Sequence, residues 1–140
     1  MNLKAYLISI SLGPLMGCAM HPDRDISDKD TVNKAVGVVS AGDTIFLSAG
    51  TVINWDSTIN LSGTADNPIV ISGSKKAHTV FSDTITGNPF FRIKGQHIVL
   101  TNIEFSNTTF RYPIVVLDSC YNSSISNCSF KDNTAMKQFN

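Results

Sequence analysis

The stretch "GQHIVLTNIEFSNT", residues 95–108, is answered further along by "CYNSSISNCSFKDNT", residues 120–134. Asn102 falls on Asn127, Ile103 on Cys128, Phe105 on Phe130 and Thr109 on Thr134. Short alternating runs bounded by Gly, Asn, Asp or Pro continue this pattern back to Asp43, as in "DTIFLSAGT" (43–51), "STINLSG" (57–63) and "NPIVISG" (67–73). "IFLS" starts at 45, "IVIS" at 69, "FRIK" at 91 and "IVVL" at 114, giving intervals of 24, 22 and 23. A second register, "TVF" at 79, "IEF" at 103 and "CSF" at 128, steps by 24 and 25. A period in the low twenties made only of strands and turns predicts a solenoid. A sandwich would bring strands in every 8–12 residues or so without long-range self-similarity. The LxxLxLxxN pattern of a leucine-rich repeat is missing. The expected fold is all-β, a right-handed parallel β-helix of about four coils.

In that frame Ile103 and Phe105 point inward, and Cys128 and Phe130 stack on them one coil on. Asn102 over Asn127 predicts an asparagine ladder at a turn, with the side-chain amides bonding each other and the turn backbone. Asn60, Asn107, Asn122 and Asn127 also sit in N-x-S/T sequons, but turn chemistry accounts for them better than glycosylation. Upstream, "SDKDTVNKAVGVVSAGD" (27–43) reads as a short capping helix. Val32, Ala35, Val36 and Val39 form one apolar stripe, and Gly42 ends the pattern. Its job would be to cover the open edge of the first coil.

The chain has 140 residues, is 42% hydrophobic and 16% charged, and carries zero formal net charge. That is one domain's length, and without an Arg/Lys block it excludes a broad nucleic-acid-binding face. Behind Lys4, the apolar run "AYLISISLGPLMG" (5–17) is too short to span a bilayer and suits a signal peptide. It ends in "LMGC", which resembles a bacterial lipobox with Cys18 as the lipidated residue. The expected organisation is therefore a lipoprotein signal at 1–17, a polar tether at 18–29 and β-helix coils over 30–140. The chain would be exported and anchored in the bacterial cell envelope through Cys18. The alternative is an ordinary secretory signal with an incidental cysteine. Cys120 and Cys128 remain as a potential bridge, although the repeat puts Cys128 at an inward position that suits a buried thiol. His21, His78 and His97 are isolated and read as one tether residue and two turn residues.

The order of pieces in "VSAGDTIFLSAGT", "GTADNPIVISGSKKAHTVFSD" and "FFRIKGQHIVLTNIEFSN" resembles the N-terminal part of polysaccharide lyase family 6, the alginate lyase and chondroitinase B type. The resemblance covers about residues 30–134. "GTVINW" departs from it, with Val52 where an aromatic is common and Trp55 three residues on. What the resemblance implies is β-elimination on an acidic, uronate-containing polysaccharide. A Lys and an Arg do the proton work, and acidic and Asn residues hold Ca²⁺. No match to those motifs occurs here, so no catalytic residue, metal ligand or cofactor is assigned to this chain. The expectation is a C-terminally truncated portion whose catalytic coils lie beyond Asn140, inactive alone, with Ca²⁺ belonging to a full-length relative. A complete short protein dimerising through its open end is the alternative.

On "FFRIKG", alternation turns Arg92 and Lys94 outward together. They are the candidate substrate-binding residues, able to meet uronate carboxylates, against the plainer reading of a solvated strand face. Lys75 and Lys76 read as exposed turn residues, Arg111 and Tyr112 as turn-shaping residues, and Asp118 and Asp132 as turn caps. Trp55 reads as a lid on the first coil. Two other readings stay open: a non-catalytic glycan-binding or structural β-helix surface lipoprotein, and a different β-helix carbohydrate enzyme.

Overall fold

The structure is a computed structural model that describes residues 7–9 and 36–137. Strand β1 (Leu7–Ser9) precedes β2 (Thr44–Phe46) and β3 (Gly50–Val52), which begin the winding. The first full coil holds β4 (Ser57–Ser62), β5 (Ile69–Ser72), β6 (Thr79–Phe81) and β7 (Thr84–Ile85). The second holds β8 (Phe91–Gln96), β9 (Ile98–Thr101), β10 (Ile103–Ser106) and β11 (Thr109–Phe110). The third holds β12 (Val115–Tyr121), β13 (Ser124–Ser126), β14 (Ser129–Lys131) and β15 (Thr134–Ala135). Equivalent strands stack into four parallel columns: β2-β5-β9-β13, β3-β6-β10-β14, β4-β8-β12 and β7-β11-β15. This is a parallel β-solenoid of about four turns, and it carries the expected architecture.

The echoed stretch stacks as expected. Phe105 pairs with Phe130, Glu104 with Ser129 and Thr109 with Thr134. The rings of Phe105 and Phe130 lie 5.0 Å apart and 18° from parallel. Along β10 the alternation buries Ile103 and Phe105. Phe81, Phe90, Phe91 and Phe105 fill the centre, with neighbouring ring centroids 5.0–6.4 Å apart. Each ring removed from water contributes about 1.5–3 kcal/mol, plus edge-to-face terms.

The first sequence register is corrected. "FRIK" at 91 and "IVVL" at 114 lie in the β4-β8-β12 column, whereas "IFLS" and "IVIS" lie in the β2-β5-β9-β13 column. Thr44 pairs with Val70, Val70 with Val99 and Val99 with Ser124, so the column advances by 26, 29 and then 25 residues. The near-constant spacing read from sequence jumped between columns, because apolar alternation looks alike in each of them. The second register holds, with Thr79 on Ile103.

The corners are turned by residues in left-handed backbone. Asn102 and Asn127 have φ of 57° and 50°, His97 and Asn122 have 50° and 47°, and Asn107 and Asp132 have 53° and 51°. Asn and Asp tolerate this conformation at lower cost than most residues. His78 (φ 53°) and His97 are turn residues, as predicted. The expected amide-to-amide ladder is corrected: Asn102 Nδ2 donates to Ser72 Oγ at 3.0 Å, and no hydrogen bond joins it to Asn127. Asn133 adds a stitch between the second and third coils. It donates to the Phe105 carbonyl at 2.9 Å and accepts from the Thr108 N–H at 2.9 Å.

Of the capping helix expected over 27–43, residues 27–35 lie outside the described residues, and the described part is corrected: residues 37–43 run as turns, not helix, with Val36 and Val39 half-buried against the core. The outer backbone edge of β2 is paired antiparallel with β1, Leu7 opposite Phe46. Cys18 and the tether also lie outside the described residues. Cys120 and Cys128 are free and half-buried against the core, and burial pushes the Cys128 thiol up.

Candidate functional site

Strand β8 alternates as the sequence demands. Phe91 and Ile93 are fully buried, and Arg92 and Lys94 face outward, half-exposed. Arg92 stands in register between Thr58 on β4 and Val116 on β12, and Lys94 beside Asn60. The structure adds a third member. Asp118 lies inside β12, at a bulge between Leu117 and Cys120, and its Oδ2 meets Arg92 Nη1 at 3.4 Å and Lys94 Nζ at 3.3 Å. Hydrogen bonding and attraction from Lys94, then the Ser119 hydroxyl and Arg92, hold the Asp118 carboxyl below its ordinary range. The sequence assigned Asp118 to a turn cap, since a bulge cannot be read from alternation alone. One carboxylate against two cations leaves a patch of net charge +1. An incoming anion has to compete with a counter-ion already in place, in an exposed setting where ion pairs are weak.

A second polar region lies on the β6-β10-β14 face. There Glu104 Oε2 accepts from Lys131 Nζ at 2.7 Å and from Ser129 Oγ at 3.4 Å. Lys131 foremost holds the Glu104 carboxyl below its ordinary range. Beside this pair the turn 73–78 rises over a cleft of about 260 Å³. None of these side chains shows in the sequence as a cluster, because they come from three different coils. The only available signal was the length of the turn "GSKKAH" against the single residue used at the same corner by the next two coils.

Among the described residues no three His, Cys, Asp or Glu side chains converge as a metal site. No described residue is assigned to the Ca²⁺ that the resemblance implies for full-length relatives.

The sequence model of the family described as Chondroitinase B matches residues 26–140. The chain belongs to the chondroitinase B family. Its solenoid is similar to a solved structure of the PL6 family alginate lyase AlyGC, at 17% identity with a TM-score of 0.63. That match covers 73% of this chain and 14% of the lyase. A mutant of the same lyase matches at 16% identity and a TM-score of 0.65, covering 79% of this chain and 17% of that one. At these identities the likeness shows the fold, and the chain spans only a small share of either lyase's length. No curated protein matches this chain. As a member of the chondroitinase B family it is a polysaccharide-lyase-like β-helix domain.

The remaining sequence-predicted residues do not join either polar region. Arg111 and Tyr112 are exposed beyond β11. Asp132 turns a corner in left-handed backbone. Trp55 is buried against Phe81 and Phe91, with ring centroids 5.3 and 5.7 Å away, which suits a lid and not a sugar-stacking platform.

Proposed function

We propose that this chain forms the N-terminal coils of an exported lyase acting on an acidic, uronate-containing polysaccharide. The observation that carries this reading is the family match, which runs through residues 26–140 and so takes in every described coil. The chemistry of such a lyase is β-elimination. A base removes the proton α to the uronate carboxylate, the developing charge is neutralised, and the leaving glycosidic oxygen is protonated. No described residue of this chain is assigned to those steps. Its contribution is binding, with Arg92 and Lys94 as outward cations for sugar carboxylates. Asp118 holds them in place and tempers their charge. Anchoring through a lipid on Cys18 would place the solenoid at the cell envelope, where such polymers are met.

The test pairs two measurements on the purified chain: retardation in gels containing alginate or dermatan sulfate, and the ultraviolet absorbance of unsaturated uronate product. Retardation by the acidic polymers without product is expected, with a neutral glucan as control. Equal retardation by the neutral glucan would sink the substrate class, and product formation would sink the purely binding role.

A further inference from the structure

One corner of the solenoid is built differently in the first full coil than in the two that follow. Between Thr101 and Ile103, and again between Ser126 and Cys128, one left-handed Asn makes the turn. Between Ser72 and Thr79, which pair with Thr101 and Ile103, the chain uses six residues, 73–78, and His78 takes the left-handed position. Insertions in solenoids collect on one face, and that face is often the binding one.

This insertion is tied down. The Gly73 N–H donates to the Thr101 carbonyl at 2.9 Å, and a side chain at Gly73 would collide with the Asn102 carbonyl. Ser74 N–H donates to Thr79 Oγ1 at 2.8 Å, and that hydroxyl in turn donates to the Ser48 carbonyl at 2.7 Å. The fixed turn and the outward side chains of β10 and β14 enclose the cleft of about 260 Å³, lined among others by Lys75, His78, Glu104, Asn127, Ser129 and Lys131. It is smaller than the roughly 300–1,000 Å³ of sites that engulf a whole ligand. A cleft of this size suits one unit of a longer chain lying across the sheet.

Its charge is cationic. Lys75 and Lys131 face a single carboxylate, Glu104, whose Oε2 is already engaged by Lys131 and Ser129. Lys75 has no hydrogen bond or ion pair among the described residues, and neither has the Asn127 amide. At the β8 face, by contrast, both cations already share Asp118.

We propose that this cleft binds an anionic sugar unit of an acidic polysaccharide. Lys75 and Lys131 pair with its carboxylate or sulfate, and Asn127 and Ser129 bond its hydroxyls. This rests on the acidic-polysaccharide reading above and gives it a location that the sequence did not mark.

The test is calorimetric titration of the purified chain, with amide shift mapping by NMR, against three probes: an alginate oligomer, a dermatan sulfate oligomer and a neutral glucan oligomer. Binding of either acidic probe, with shifts concentrated at 73–78 and 127–131, supports the site. Preference between those two probes identifies carboxylate or sulfate as the group held. Lys75→Ala with Lys131→Ala should weaken binding about tenfold or more, the loss of charge-assisted hydrogen bonds. The double Lys→Arg variant should retain it, and Lys76→Ala should match the wild type. Lys75→Ala alone, in an exposed turn, guards against a double variant that loosens the third coil. It should still weaken binding several-fold. Tight acidic binding that maps elsewhere, or that survives the double variant, overturns the cleft and leaves the function standing. Failure of both acidic probes to bind overturns both.

Discussion

The second and third coils carry nearly the same pattern and live in different environments. Phe105 is fully buried and its partner Phe130 is 52% exposed. Leu100 is buried and Ile125, in register with it, is 38% exposed. Ile93 and Leu117 repeat the contrast. The side chains face the same way in both coils. What differs is that coil two is stacked on both sides, while among the described residues nothing stacks on the far side of coil three. In a solenoid, alternation sets direction and the neighbouring coil sets burial.

The largest test of that contrast is truncation of the stacked rings. Phe105→Ala should cost about 3–5 kcal/mol, the sum of lost transfer energy and a cavity, and Phe130→Ala about 1 kcal/mol or less. Urea denaturation followed by circular dichroism measures both. Similar losses at the two sites would mean that coil three is covered in solution.

A smaller difference is expected at the corners. Asn102→Ala loses both left-handed tolerance and the bond to Ser72, about 2 kcal/mol together, whereas Asn127→Ala loses the tolerance alone, about 1 kcal/mol. Matching shifts in the urea midpoint would show that the Asn102–Ser72 bond contributes nothing measurable.

The smallest effect belongs to the ion pair that joins the two coils. Lys131 lowers the Glu104 carboxyl from its ordinary 4.5, so the folded state binds that proton less readily than the unfolded chain. The resulting stability is present in full above pH 4.5 and is lost as pH falls through the lower folded value. Comparing Tm for wild type and Lys131→Met from neutral to acid should show a gap that closes below 4.5 and narrows in salt. A gap that persists in acid would point to packing by the lysine stem as its origin.

Much of this was legible in the sequence. The repeat at 79, 103 and 128, the inward set Ile103 and Phe105, and the outward pair Arg92 and Lys94 all follow from a period of two inside a longer period. The assignment of "IFLS" and "FRIK" to one column failed, because all columns share one grammar and the inserted turn breaks the count. The Asn102–Asn127 ladder failed for a related reason: backbone preference put both residues at the corner, but the side-chain partner was set by whatever hydroxyl the adjacent coil brought near.

The sequence by itself determined the solenoid, its inward and outward faces and its corner residues, since these depend on local backbone preference and alternation. Only the tertiary structure decided which strands share a column and which side chains meet across coils: the Asp118 counter-ion, the Asn133 stitch and the gathering of Lys75 and Lys131 around one cleft. Those partners lie some 25 to 55 positions apart in sequence and only winding brings them together.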